Sequence, residues 1–246
     1  MTTEKAHVAN VLATRYSSPE MAQIWSAEEK IVLERELWIA VLEGQQDLGL
    51  DIEDSIIEAY RSVVSEVDLE SIERRERVTL HDVKARIEEF CSLAGYEHIH
   101  KGLTSRDLTE NVEQLQIKRS MILIQQRLVA VISRLAELAI EYQNTTITGR
   151  SHNVPAQLTT VGKRLATVGE EMERAMNGLM GLRESYPFRG LKGAVGTQLD
   201  QLTLFEGDLD KVEALEKRLL EILEAPGRWS AVGQVYPRSL DFETVS

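Results

Sequence analysis

The spacing of hydrophobic and polar positions predicts helices along almost the whole chain. Apolar side chains beyond residue 26 return at helical spacing and fall on roughly one face of a helix. These residues are Ile31, Leu33, Leu37, Trp38, Val41 and Leu42. Ser26 and Glu29 form a capping-box pattern at the start of this helix, and Gly44 and Gly49 mark its end.

Other segments show the same helical spacing, and we find no useful length of the two-residue alternation that a half-buried strand requires. Further helices are predicted over residues 51–64, 68–76, 83–94 and 206–223, and another helix begins at Leu240. The sequence therefore predicts an all-α fold.

The longest predicted helix lies in the segment from Leu103 to Thr148, which contains neither glycine nor proline. About 35 helical residues would extend roughly 50 Å, so this helix needs partners along its length, as in a bundle. A second long helix is predicted from Pro155, a residue suited to the first helical position, to about Glu184. We predict a helical N-terminal domain over residues 1–103 and a long-helix bundle domain over 104–246, incomplete at its C-terminus.

Composition limits the function classes. The 246 residues carry a formal net charge of −12, which argues against a general nucleic-acid or membrane-surface partner. The single cysteine, Cys91, excludes an internal disulfide and is interpreted as a small buried residue on a helix. Residues 1–10 do not resemble a signal peptide, and no apolar run reaches transmembrane length. We therefore expect a soluble, cytoplasmic protein.

Three polar clusters lie at predicted helix starts, at residues 79–82, 104–107 and 151–157. Each can be explained by capping alone, with Thr79 paired to Asp82 and Asp107 to Glu110. Together they also supply two imidazoles, hydroxyl groups and unpaired backbone N–H groups, which suit a carboxylate or phosphate. His98 and His100 fit either a site or a solvent-facing loop. Walker-type and Cys/His metal patterns are missing from the sequence, so we predict no metal and no cofactor.

Several of these segments resemble the fumarase/aspartase superfamily. The stretch from Gly149 through His152 to Lys163, the segment Gly102–Asp107 and the segment His81–Val83 carry this resemblance. Residues 15–21, 155–164, 193–198 and 233–238 are similar to segments of one family within it, the adenylosuccinate lyases. The matching segments follow the same order and cover nearly the whole chain.

The resemblance implies release of fumarate by β-elimination from adenylosuccinate, giving AMP, and from the succinylated aminoimidazole carboxamide ribotide of purine synthesis. It implies that His152 is the acid that protonates the leaving nitrogen. It also implies that Arg15 and Tyr16 bind the nucleotide phosphate and that His81 and Asp82 help to position the substrate and its phosphate. Thr104 and Ser105 are expected to bind the succinyl carboxylate and Gln234 to contact the succinyl portion, and Ser151 is a further expected substrate-binding residue.

One feature of the family has no counterpart in these 246 residues. The family's base is a serine in a loop of the form Ser-Ser-x-Met-Pro-x-Lys-x-Asn, whereas the segment from Ser17 to Met21 lacks the lysine and asparagine. We expect the loop beyond Ser246 and expect this chain to be inactive by itself. The family resemblance also implies a homotetramer that binds a small nucleotide substrate in active sites shared between subunits, with no nucleic-acid or membrane partner.

Two alternatives remain open at this point. Another fumarate-releasing lyase of the superfamily, of the argininosuccinate or aspartate type, would share most of the same segments. A non-catalytic helical scaffold would use the three polar clusters only as helix caps.

Overall fold

The computed structural model describes residues 10–245. The chain forms two compact units, one containing residues up to Ile117 together with Pro187–Phe242 and the other containing Lys118–Tyr186 and residues from Glu243. The predicted domain boundary at 103/104 stays a prediction.

Helices dominate both units, and the all-α prediction is confirmed. The helices are α1 (Pro19–Ile24), α2 (Ala27–Asp47), α3 (Asp54–Ser62), α4 (Leu69–Thr79), α5 (Asp82–Ala94), α6 (Ser105–Glu141), α7 (Val161–Ser185), α8 (Leu199–Leu204), α9 (Leu209–Ile222) and α10 (Ser239–Val245). A π-helical turn at Leu12–Tyr16 precedes them, and the strands are β1 (Thr146–Ser151), β2 (Val154–Thr160), β3 (Pro187–Phe188) and β4 (Gly227–Arg228).

Helix α2 is the centre of the first unit. It begins where the Ser26 hydroxyl accepts the Glu29 N–H at 3.1 Å, as the capping pattern predicted. More of this helix is buried than the single predicted apolar face, because Glu34 and Arg35 are buried as well. Arg35 pairs with the buried Glu89 of α5 at 2.5 Å, which compensates both charges. The helix is therefore enclosed on several sides.

The neighbouring helices close this core through aromatic contacts. The rings of Trp38 on α2 and Phe90 on α5 stack with centroids 6.2 Å apart. Tyr60 on α3 lies 4.9 Å from Phe90 and forms a 3.3 Å hydrogen bond with the Cys91 thiol. Cys91 is buried on a helix, as predicted, and burial raises the pKa of its thiol.

The second unit contains the C-terminal part of α6, a β-hairpin and α7. Helix α6 is 37 residues long, which confirms the long helix predicted in this segment, and the chain enters strand β1 after it ends at Glu141. Strand β2 pairs with β1 in antiparallel register, from Thr146 opposite Thr160 to Ser151 opposite Val154. The prediction of a helix starting at Pro155 is therefore wrong: α7 begins at Val161, where the Thr160 hydroxyl caps it.

The predicted helix 206–223 is confirmed as α9, but the short α8 before it was not predicted. The helix expected from Leu240 is present as α10, and its buried residue is Leu240. Across residues 10–245, none of the helices combines the length and apolar character that crossing a membrane would need.

Candidate functional site

A cleft of about 680 Å³ in the first unit contains five of the residues predicted from the sequence. They are His81, Asp82, Thr104, Ser105 and Gln234. Although these residues span more than 150 positions of the sequence, the fold places them around one cavity. The rest of its lining comprises Trp25, Lys30, Val83, Arg106, Thr109, Glu113 and Gln116.

His81 lies at the start of α5 and acts as its N-cap. Its Nδ1 accepts the backbone N–H of Lys84 at 3.2 Å, and its Nε2 lies 3.3 Å from the Ser105 hydroxyl oxygen. The predicted Thr79–Asp82 cap is therefore wrong. Thr79 is the last residue of α4, and its hydroxyl instead bonds to the backbone of His81.

Asp82 belongs to a chain of ion pairs that extends to the buried Glu34. Arg86, one turn further along α5, pairs with the Asp82 carboxylate on one side and with the buried Glu34 on the other. Burial raises the pKa of Glu34, while the Arg86 charge opposes that rise. The Asp82 carboxylate at the cleft is thus already compensated by a cation.

Thr104 and Ser105 lie at the start of α6, and Asp107 fixes that start. The Asp107 carboxylate accepts the Thr104 N–H at 2.9 Å, which is the returning bond of a capping box. The predicted pairing of Asp107 with Glu110 as a cap is wrong, because both residues lie inside α6 and are fully buried. Their partner is the buried Arg189.

Arg189 connects the start of α6 to the segment that carries Gln234. Its guanidinium pairs with Asp107 and donates to the Gln234 carbonyl at 3.1 Å. Glu110 accepts the backbone N–H of Tyr236 at 2.9 Å and pairs with Arg238. The same buried network therefore holds Ser105 on one wall of the cleft and Gln234 on another.

The Asp107–Glu110–Arg189 network was missed by sequence reasoning. An arginine in a glycine-bearing loop carries no signal that it will be buried, and helix α6 gave no sign that its acidic residues point inward. Only the pairing of residues more than 75 positions apart reveals this network.

Local positive charge is available in the cleft despite the acidic chain. Lys30 and Arg106 line it, together with the acidic Asp82 and Glu113. The sequence gives no indication that Lys30 lies at the site. Arg106, by contrast, directly follows Ser105 in the segment that carries the family resemblance. These cations are suited to a substrate that bears carboxylates or a phosphate.

The structure does not place Arg15 and Tyr16 along the lining of this cleft. They lie in the π-helical turn, where the Arg15 guanidinium lies 5.9 Å from the centre of the Tyr16 ring. Tyr16 is 72% exposed. Their assignment to a phosphate therefore stays a prediction.

Ser151 and His152 belong to the second unit and lie at the tip of the hairpin. Residues 152 and 153 form its two-residue turn, with φ of 48° and 64°. Positive φ at both positions is typical of a type I′ turn, and Asn and His are among the non-glycine residues that adopt positive φ most often. The expectation that His152 lies at a helix start is wrong: its exposed imidazole projects from a β-turn.

His98 and His100 do not line the cleft. His100 accepts the indole N–H of Trp38 at 2.9 Å through its Nδ1. Burial lowers the pKa of His100 to about 4, so its imidazole is neutral at physiological pH. His100 is therefore a structural histidine.

Comparison with known proteins gives consistent matches. A family model described as Lyase matches residues 9–216. The chain is 35% identical over 241 residues to adenylosuccinate lyase of Saccharomyces cerevisiae, covering 96% of this chain and 50% of that protein. It is 32% identical over 213 residues to adenylosuccinate lyase of Methanocaldococcus jannaschii, covering 85% of this chain and 45% of that protein. The chain spans about half the length of the curated relatives it matches.

A solved structure shows the same fold. The fumarate lyase from Mesorhizobium sp. BNC1 superposes with a TM-score of 0.78 at 22% identity, covering 93% of this chain and 53% of that one. At this identity the match concerns the fold alone.

Proposed function

Since the chain belongs to the lyase family within the fumarase/aspartase superfamily, we propose that it provides part of the active site of an adenylosuccinate lyase. The observation that carries the proposal is the cleft that brings His81, Asp82, Thr104, Ser105 and Gln234 together. The names of its relatives from yeast to archaea support the same substrate.

The proposed reaction removes a proton and an amine from adjacent carbons of the succinyl group. The C–H electron pair forms the new double bond of fumarate as the C–N bond breaks, and the leaving nitrogen of the nucleotide gains a proton. Negative charge develops on the carboxylate next to the deprotonated carbon. Thr104, Ser105 and the first N–H groups of α6 form a preorganised donor set for that charge.

In this proposal His152 protonates the leaving nitrogen. An imidazole titrates near neutral pH, and a positioned acid contributes about 10²–10⁴-fold to rate. Ser151 would bind substrate beside it, Gln234 would contact the succinyl portion, and Arg15 with Tyr16 would bind the phosphate.

The proposal includes a cytoplasmic homotetramer with active sites shared between subunits. Apolar residues exposed along the second unit support association through this part of the chain. They are Ile124, Val129, Val131, Ile140 and Val168. We further propose that the base is a serine loop outside these 246 residues, so that the chain alone is inactive.

The test is fumarate release from adenylosuccinate, followed by absorbance, with two samples. The first is the 246-residue chain, for which we expect no turnover. The second is the chain refolded with the C-terminal half of the Saccharomyces cerevisiae relative, for which we expect release of fumarate and AMP. Argininosuccinate is tested in parallel as a substrate, because its cleavage would indicate the alternative argininosuccinate-type lyase.

The outcomes separate the parts of the proposal. Turnover by the chain alone would contradict the requirement for the serine loop. Turnover of argininosuccinate but not adenylosuccinate would contradict the substrate assignment. Activity in the second sample that persists at the same rate with His152→Asn would contradict the role of His152.

A further inference from the structure

The two ring nitrogens of His81 have different partners, and these partners determine where its proton lies. Nδ1 is 3.2 Å from the backbone nitrogen of Lys84, which can only donate a hydrogen bond. An acceptor at Nδ1 requires a lone pair there, so the proton of a neutral imidazole must be on Nε2. Resting on the function proposed above, we infer that His81 is a neutral positioning residue that presents Nε2–H to Ser105.

The alternative is a doubly protonated His81 paired with Asp82. The Nδ1 atom lies 3.6 Å from the Asp82 carboxylate, further than from the Lys84 nitrogen. That carboxylate is already paired with Arg86, so it does not depend on His81 for a cation. A proton on Nδ1 would also face the Lys84 N–H directly and remove the cap of α5. The arrangement around Nδ1 therefore favours the neutral ring.

The position of this proton determines the orientation of the Ser105 hydroxyl. Nε2–H lies 3.3 Å from the Ser105 oxygen and donates to it. A hydroxyl has one hydrogen and two lone pairs, so accepting from His81 leaves its own hydrogen available to a ligand. Ser105 then faces the cleft as a donor, the role that a carboxylate of the substrate requires.

The backbone around His81 supports this arrangement. Leu80 adopts a left-handed conformation that ends α4, and the Thr79 hydroxyl bonds to both the N–H and the carbonyl of His81. The ring is half exposed, so it is placed by these local bonds and not by burial in the core. In this way the cap of one helix sets the hydrogen-bonding direction at the start of another.

Two substitutions at His81 test the roles of its two ring nitrogens separately. His81→Asn places an amide oxygen near the position of Nδ1, which retains the cap but removes the contact with Ser105. His81→Gln can place its amide nitrogen near the position of Nε2, which retains a donor to Ser105 but loses the favoured N-cap residue. Ser105→Ala is the matched control, since it removes the hydroxyl and leaves the cap intact.

The first measurement uses the 246-residue chain without ligand. Nitrogen-15 NMR at neutral pH should show His81 protonated on Nε2 and unprotonated on Nδ1, and Ser105→Ala should leave that tautomer unchanged. His81→Asn should keep the thermal unfolding midpoint, whereas His81→Gln should lower it by about 2–4 °C. A proton on Nδ1, or equal loss of stability in both variants, would overturn the inference.

The second measurement uses the reconstituted lyase sample. His81→Gln should retain more of kcat/KM than His81→Asn, by about tenfold, since one hydrogen bond separates them. The reverse order would overturn the orienting role of His81. Because the NMR and unfolding measurements need no substrate, failure of the lyase assignment would remain distinguishable from failure of this inference.

Discussion

The Asp107 carboxylate accepts a 2.9 Å hydrogen bond from the backbone N–H of Thr104, three residues earlier in the chain. The same carboxylate accepts the backbone N–H of Lys192 at 2.8 Å and pairs with the buried Arg189. One side chain therefore begins α6 and anchors a loop more than 80 residues away. The geometry of the cleft depends on this carboxylate and its charge.

Replacing Asp107 with Asn should strongly destabilise the first unit. The amide keeps the size of the carboxylate but removes the nearer of the two acidic partners of the buried Arg189 and leaves only Glu110, at 3.6 Å, so the loss should approach the roughly 3–5 kcal/mol of a broken buried pair. Urea unfolding measures the loss. The matched control is Glu137→Gln, which breaks the exposed pair with Arg134 and should cost under about 1 kcal/mol. Equal effects of the two substitutions would contradict a stabilising role for the buried pair.

Acid should destabilise the fold through His100. Its pKa is about 4 in the folded chain and 6.5 when unperturbed, so below pH 6.5 the unfolded chain binds the proton more readily. The free energy of unfolding is therefore highest above pH 6.5 and falls as the pH decreases towards 4, by on the order of 3 kcal/mol.

The control for this pH dependence is His100→Asn. Asn keeps an acceptor for Trp38 and suits the left-handed conformation of this position, where φ is 67°, but does not titrate. The difference in unfolding free energy between the two proteins, measured from pH 7 to pH 4, should follow the His100 titration. A constant difference across that range would show that His100 does not contribute.

Gly162 and Gly178 on α7 should respond to alanine with opposite signs. A Cβ on Gly162 would lie 2.7 Å from the backbone nitrogen of Gln143, so Gly162→Ala should destabilise the second unit by about 1–3 kcal/mol. A Cβ on Gly178 meets nothing within 4 Å. Gly178→Ala should therefore stabilise the helix, by up to about 1 kcal/mol. Thermal unfolding checks both, and a stabilising Gly162→Ala would contradict the close approach.

His152 should tolerate Asn structurally but not functionally. Asn is favoured at positive φ, so the hairpin should keep its hydrogen-exchange protection in His152→Asn. The reconstituted lyase should lose about 10²–10⁴-fold in rate if His152 is the acid. His152→Val is the structural control, because a β-branched residue at positive φ should reduce protection of the hairpin amides.

The segment from Pro155 to Thr160, predicted as the start of a helix, forms strand β2 of a hairpin. The hairpin there has mostly exposed positions, so it lacks the apolar alternation by which strands are usually recognised. A signal was present in the β-branched Thr146, Ile147 and Thr148 and in the Asn at the turn. The proline and the helical pattern after residue 160 favour a helix more strongly than these residues favour a strand.

The sequence alone determined most of the helices, because their apolar spacing is local, and the family resemblance named five of the residues that line the cleft. It could not determine which acidic and basic residues would be buried together, since the partners of Asp107 lie more than 80 positions away. Nor could it determine the direction of the hydrogen bonds at His81. Tertiary structure decided both, because a buried charge and an imidazole proton are each fixed by the groups that surround them.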